Sequence, residues 1–255
     1  MRLSLVPALI VATTALAATA AAATAPTPAV FGPPTVCHPI DIGNATSLPW
    51  GSDRFKTDPA YDVARTVDDT LAILRASSDT LVHMETLRRA VVYLTPLSEQ
   101  GAAKPAAWRE QELGKLLAAL QADIAKCESA KSPAAEQGLR EFDLGYAQAV
   151  LYQSERHGGS SSRAELAKES ENWLTKASAR RPDDGALHLG VALATFDGPG
   201  HESPTCYAHL ERAVALATDP DGLLRRNLMK TMGAFLDASS YDDLAAKVGA
   251  RAKRA

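Results

Sequence analysis

From residue 59 to the carboxyl end, apolar residues recur three and four positions apart in one segment after another, and prolines or glycines punctuate the segments. That is the period of a helix with one buried face, whereas a half-buried strand alternates every second residue. Asp58-Pro59 predicts the first helix start, a capping oxygen followed by a proline whose missing N–H costs nothing there, and Val63, Val67, Leu71 and Leu74 form its stripe. A second helix from about Thr80 turns Leu81, Met84, Leu87, Val91 and Leu94 inward and stops before Pro96, so the two are expected to form an antiparallel hairpin. A third runs from Pro105 to about Cys127 on Leu113, Leu116, Leu117, Leu120 and Ile124. A fourth starts at Ser132-Pro133 with Leu139, Phe142, Tyr146 and Val150 inward. Aromatics are only 5% and the apolar content is mostly Ala, Leu and Val, which suits closely packed helices better than sheets. The fold class is all-α, with helix well above the usual one-third.

The stretch from Arg156 to Arg163 predicts a flexible connection. Ser162 and Glu165 then have capping-box spacing and open a helix carrying Leu166, Trp173, Leu174 and Ala177 to about Arg180, ended by Pro182. Four further helical segments are expected: Asp184 to Phe196, Pro204 to Ala217, Pro220 to Leu236 and Tyr241 to about Lys253.

Within this rhythm, Leu144-Gly145 is followed by Ser170, Leu174, Ala177 and Pro182, and Leu189-Gly190 by Cys206, Leu210, Ala213 and Pro220. Over about residues 138–218 the pattern resembles the tetratricopeptide repeat. It departs from that repeat in a longer connection inside the first unit, in Pro220 falling two positions late, and in Glu141, Gln148, Ala186 and Leu193 standing where large aromatics are usual. The resemblance implies antiparallel helix pairs stacked as a short irregular solenoid, and a protein or peptide partner in place of a reaction. Two units seldom stand alone, so the first four helices and the last two are expected to complete a single all-helical domain over residues 59–255. The groove-facing positions would be Leu139, Phe142, Tyr146, Val150, Leu187, Val191 and Ala194. So apolar a face must be covered, by the amino-terminal helices or by the chain that precedes them.

That preceding chain has two parts. Met1-Arg2 and the uncharged run Leu3 to Ala23 form a signal peptide (1–23), with Ala18-Thr19-Ala20 as a cleavage signal and a mature start near Ala21. Its strongly apolar part ends near Leu16, short of the roughly 20 residues of a membrane span, and no cysteine lies directly behind it for a lipid. The expected product is soluble and exported, periplasmic or extracellular, without an integral membrane segment after cleavage. Losing Arg2 leaves 26 of the 27 basic residues against 30 acidic ones, so the formal charge goes from −3 to −4, too mild for a nucleic-acid partner. Residues 24–58 then read as an extended Pro-rich arm whose Phe31, Ile40, Ile42, Trp50 and Phe55 predict docking on the body from Cys37 onward. With Cys37, Cys127 and Cys206, a bridge from Cys37 to one of the others would tether it, and three free thiols are the alternative.

Candidate chemistry is sparse. His201, Cys206 and His209 are the nearest approach to a metal cluster, but Cys206 sits where the repeat wants a small buried residue and no second half-site follows. Cys37-His38, with Asp41 to orient the ring, suggests a thiolate pair, though adjacent residues seldom reach that geometry. His83, Glu85, Arg88 and Arg89 read as a solvated helix face, and Lys247, Arg251 and Arg254 as a basic stripe on the last helix. Asn44-Ala45-Thr46 is a glycosylation sequon, and no nucleophile elbow or phosphate loop is present. The sequence therefore assigns no catalytic, cofactor-binding or metal residue. It favours an exported helical-repeat binding or scaffold protein, the alternative being a small envelope metal protein or enzyme built on His201/Cys206/His209 or Cys37/His38.

Overall fold

Side-chain caps open six of the helical elements in the computed structural model, which describes residues 32–51, 56–154, 162–196 and 203–253. The leader, Phe31, Phe55, the stretch 156–161, His201 and Arg254 lie outside the described residues, as does the side chain of Ser162 with its expected capping box. The protein is all-α, 73% helix without strands among the described residues. An isolated antiparallel bridge joins Trp50 and Thr57.

A single turn, α1 (Pro34–Cys37), opens the described chain with proline at its first position. Asp58-Pro59 does not start a helix. The Asp58 carboxylate accepts the Ala60 N–H at 2.9 Å and its carbonyl accepts the Tyr61 N–H at 3.1 Å, which closes a local turn. Asp62 is the working cap: it accepts the Ala64 N–H and opens a 3₁₀ turn, Val63–Arg65, that runs into α2 (Thr66–Ala76). Asp79 caps α3 (Thr80–Leu94) and Ser98 caps the short α4 (Glu99–Ala102). Then come α5 (Ala106–Ser129), α6 (Ala134–Ser154) and α7 (Ser162–Arg180). Asp184 caps α8 (Gly185–Thr195), and Ser203 caps α9 (Pro204–Leu216). α10 (Leu223–Leu228) widens into a π turn over Met229–Gly233, and Ser240 caps α11 (Tyr241–Ala252).

α6 packs along α7 and α8 along α9, while α11 lies against α9. Small residues permit the close approach. A Cβ on Gly145 would meet the Leu174 side chain at 2.9 Å, and the Gly145 carbonyl accepts the Ser170 hydroxyl at 2.8 Å. Leu174, Ala177, Leu210 and Ala213 are buried along these contacts. α3 touches α1, α2, α4, α5, α6 and α8, and nearly all of its side chains are buried, Val82, Val92 and Tyr93 as fully as the predicted stripe. The residues expected to face a groove are covered: Leu139, Phe142, Tyr146, Val150, Leu187 and Val191 are buried and Ala194 partly so, with α3 and α1 packed on α6 and α8. One connected core runs from Val36 in the arm to Val248 in α11. No described helix is long and apolar enough to cross a membrane.

Candidate functional site

The charged residues Glu85, Arg88 and Arg89 of α3 turn toward the arm, not to solvent. Glu85 and Arg88 are 1% and 0% exposed, and the sequence-based reading of a solvated face is overturned. Arg88 donates through Nε and Nη2 to the two Glu85 oxygens, 2.8 Å each, and Arg89 Nε adds a bond to Glu85 at 2.7 Å. Burial alone would raise the Glu85 pKa, but the two guanidinium groups outweigh it and hold the carboxyl below its ordinary value.

Two guanidinium groups on one carboxylate leave a positive charge to be compensated, and the arm supplies the acceptors. Arg88 Nη1 donates to the Val36 carbonyl at 3.3 Å and Arg89 Nη1 to the Leu48 carbonyl at 2.5 Å. The Trp50 indole lies under both cations, 4.7 and 5.5 Å from ring centre to guanidinium carbon. Glu85 in turn accepts the Ile40 N–H at 2.9 Å, and the Tyr93 hydroxyl donates to the Pro49 carbonyl at 2.6 Å.

Helices further along the chain grip the same segment. Gln153 of α6 accepts the Thr35 N–H and hydroxyl at 3.0 and 2.7 Å, while its amide donates to the Leu193 carbonyl of α8. Asn227 of α10 accepts the Asp41 N–H at 2.7 Å and donates to the Asp41 carbonyl at 2.8 Å. Between these polar contacts Val36, Ile40, Ile42 and Leu48 are buried, and His38 lies against the Phe235 ring at 4.8 Å. Most of these bonds end on arm backbone atoms, so the surface recognises the arm's backbone more than its side chains; the arm is not extended throughout, since Thr35 and Val36 lie in the turn α1 and a second turn follows at Gly43. The π turn directly after Asn227 belongs to the same wall, and its Thr231 hydroxyl donates to the Asn227 carbonyl at 2.7 Å.

No family model, curated protein or solved structure matches this chain. The geometry above therefore carries the functional argument by itself.

Of the sequence's metal candidates, Cys206 and His209 are described and His201 is not. Cys206 is fully buried and its thiol donates to the Ala192 carbonyl at 3.3 Å, while His209, on the same helix, meets His188 of α8 through Nδ1 at 2.7 Å. Among the described residues no three His, Cys, Asp or Glu side chains are grouped to hold a metal. Cys37 and His38 are absorbed in arm packing, and all three cysteines are unbridged, so hydrogen bonds and apolar anchors hold the arm without a disulfide. The two described residues of the basic stripe bond internally: Lys247 pairs with Asp243 at 3.1 Å and Arg251 donates to the Tyr207 hydroxyl at 2.7 Å. Asn44 of the sequon is exposed.

Sequence reasoning missed Glu85, Arg88, Gln153 and Asn227. For α3 a signal existed, because Val82, Val92 and Tyr93 lie off the predicted stripe and make the helix apolar on more than one side, as a buried helix is. It also missed a sealed His83–Asp143 pair. His83 Nδ1 lies 2.5 Å from Asp143 and its Nε2 lies 3.1 Å from the Ser77 carbonyl, so both ring nitrogens face acceptors. Burial disfavours the charged ring, but the Asp143 carboxylate prevails and raises the pKa above its ordinary value. With both partners buried, the pair is closed to substrate.

Proposed function

We propose that the chain is an exported binding or scaffold protein of tetratricopeptide-like helix pairs, α6/α7 and α8/α9, completed by the other helices, and that its partner is a protein or peptide of the cell envelope presented as an extended segment. The observation that carries this reading is the backbone-directed grip of α3, α6 and α10 on residues 35–49. A surface that bonds N–H and carbonyl groups while burying spaced apolar side chains has the chemistry of extended-peptide recognition. Its present occupant is the protein's own arm, so an outside segment binds by displacing it.

The test is a full-length variant in which Ile40→Asp and Ile42→Asp remove the arm's anchors and leave the α3, α6 and α10 side chains intact. Once circular dichroism has established that the variant is folded, a labelled peptide of residues 34–50 should bind it saturably, and should bind the wild type at least tenfold more weakly. A folded variant that fails to take the peptide would overturn the reading. Stoichiometric zinc or iron in protein purified without an affinity tag would favour the rival envelope metal protein instead.

A further inference from the structure

Where α8 meets α9 the contact is mostly apolar along Leu189, Leu193, Cys206, Leu210 and Ala213, and two histidines face each other across it. His188 Nδ1 and His209 Nδ1 lie 2.7 Å apart, their rings 5.0 Å between centres. The protons in this contact can be counted. His188 Nε2 lies 3.0 Å from the Pro182 carbonyl, which only accepts, so the neutral ring carries its proton there and offers a bare Nδ1. His209 must then donate its Nδ1–H. One proton joins the two rings, and a second has no place between them.

We propose that His188 and His209 form a proton-operated catch between α8 and α9, closed when both rings are neutral and sprung on acidification, when two imidazolium N–H groups face each other.

The surrounding charges do not rescue the doubly protonated state. Asp184, at the head of α8, is committed to the Thr80 hydroxyl of α3, the Leu187 N–H and Arg181. Asp183 pairs with Arg212 of α9 at 2.7 Å, and Arg212 also donates to the same Pro182 carbonyl at 3.1 Å, which sets another cation beside the rings. On the neighbouring elements these charges are paired elsewhere, Arg180 of α7 with Glu141 of α6 among them. Glu85 and Arg88 of α3 pair with each other, Arg140 and Asp143 of α6 serve His83, Arg226 of α10 pairs with Asp41, and Lys247 and Arg251 of α11 bond Asp243 and Tyr207. Burial, with Arg212 beside it, holds His188 below its ordinary pKa against the Pro182 carbonyl, Asp184 and Asp183, which favour the charged ring; burial and the neighbouring ring lower His209 to about 4. A histidine with a folded pKa below its unfolded 6.5 stabilises the fold fully above pH 6.5, and that contribution is lost as the pH falls from there toward the folded value.

Two measurements on the full chain test this. In a histidine NMR titration of the wild type, the His209 ring should remain neutral at pH 5.5 and His188 should titrate below its ordinary 6.5, and ordinary titration of both near 6.5 would overturn the catch. In urea unfolding, His209→Asn keeps an amide that presents its N–H to neutral His188 or its oxygen to protonated His188, so its bond survives either state. Between pH 7 and 5 the folded-to-unfolded ratio of the wild type should fall about tenfold more than that of His209→Asn, after allowance for solvent screening of a half-buried ring. Parallel profiles would equally overturn the proposal. Should His209→Asn fail to fold, the wild-type titration decides alone.

Discussion

Asn227 closes both ends of its carboxamide on the backbone of Asp41, a residue 186 positions earlier in the chain, accepting its N–H at 2.7 Å and donating to its carbonyl at 2.8 Å. A side-chain amide that satisfies one residue's donor and acceptor together imitates a neighbouring strand, and does so where the segment has no strand to pair with. The wall formed by α10 thus recognises the arm by its extended backbone. The Asp41 carboxylate adds an exposed pair with Arg226 at 3.1 Å, a contact of the kind that contributes little.

Replacing Asn227 with Ala should therefore destabilise the fold by about 1–3 kcal/mol, the cost of leaving a partly buried N–H and carbonyl without partners. Asn227→Asp should cost at least as much, since a carboxylate accepts the Asp41 N–H but repels its carbonyl. Urea midpoints measure the loss. Limited proteolysis should show faster cleavage within residues 38–50 in both variants, and unchanged cleavage would mean that the amide does not secure the arm.

Glu85→Gln keeps the side chain's shape and removes the one carboxylate that Arg88 and Arg89 share. A guanidinium left buried without its counter-charge is expected to cost about 3–5 kcal/mol. The same pair sets an acid limit: with the folded Glu85 pKa below its ordinary 4.5, its contribution is complete above pH 4.5 and is lost as the pH falls toward the folded value. A loss under 1 kcal/mol in thermal or urea unfolding at neutral pH would show that Arg88 reaches solvent.

What could be read beforehand and what could not divide along a physical line. Helix periods are local, and α5, α6, α8 and α9 fall where their apolar spacing and prolines put them. The arm's anchors were legible for a similar reason, since Ile40 and Ile42 stand among prolines and polar residues with nothing nearby to bury them. Glu85, Arg88 and Arg89 have the spacing of any surface ion network, and their burial is decided by a segment 45 residues upstream, which spacing along the helix cannot reveal. Gln153 and Asn227 give no signal, because a single amide that grips a distant backbone looks like any other polar residue. The start of α2 was misplaced because Asp58 and Asp62 are both capping types, and only tertiary contacts such as the Asp58 N–H to Tyr93 hydroxyl bond at 3.1 Å select between them.

The His83–Asp143 pair predicts the opposite pH response from Glu85. A histidine with a folded pKa above its unfolded 6.5 contributes fully below pH 6.5, and the contribution is lost as the pH rises through the folded value. Wild-type stability should decline from pH 7 to 9 relative to His83→Asn, which has no charge to lose. If the gap between the two stays constant over that range, His83 is neutral in the fold.

Leu174 and Leu210 fill the contacts of α7 with α6 and of α9 with α8, and neither is more than 1% exposed. Each Leu→Ala change should cost about 2–5 kcal/mol, with the larger value where the cavity cannot collapse. Small losses at both, in calorimetry or urea unfolding, would place the core elsewhere.

Two glycine substitutions separate helix propensity from packing. Gly114 lies exposed in the middle of α5, and a Cβ there would meet nothing within 4 Å, so Gly114→Ala gains helix propensity at no packing cost. It should stabilise the protein by about 0.5–1 kcal/mol. Gly190 sits inside α8 with the same intrinsic preference for Ala, but a Cβ would stand 2.6 Å from the tip of the Phe142 ring and 3.3 Å from the Met84 sulfur. That ring is buried and stacked on Tyr146 at 5.3 Å, so it cannot step aside as an exposed side chain would. Overpacking of this kind typically costs about 1–3 kcal/mol and exceeds the propensity gain, so Gly190→Ala should destabilise the fold. Urea midpoints of the two variants should move in opposite directions from that of the wild type. A stabilised Gly190→Ala would mean that α8 stands further from α6 and α3 than the buried Phe142 and Met84 require.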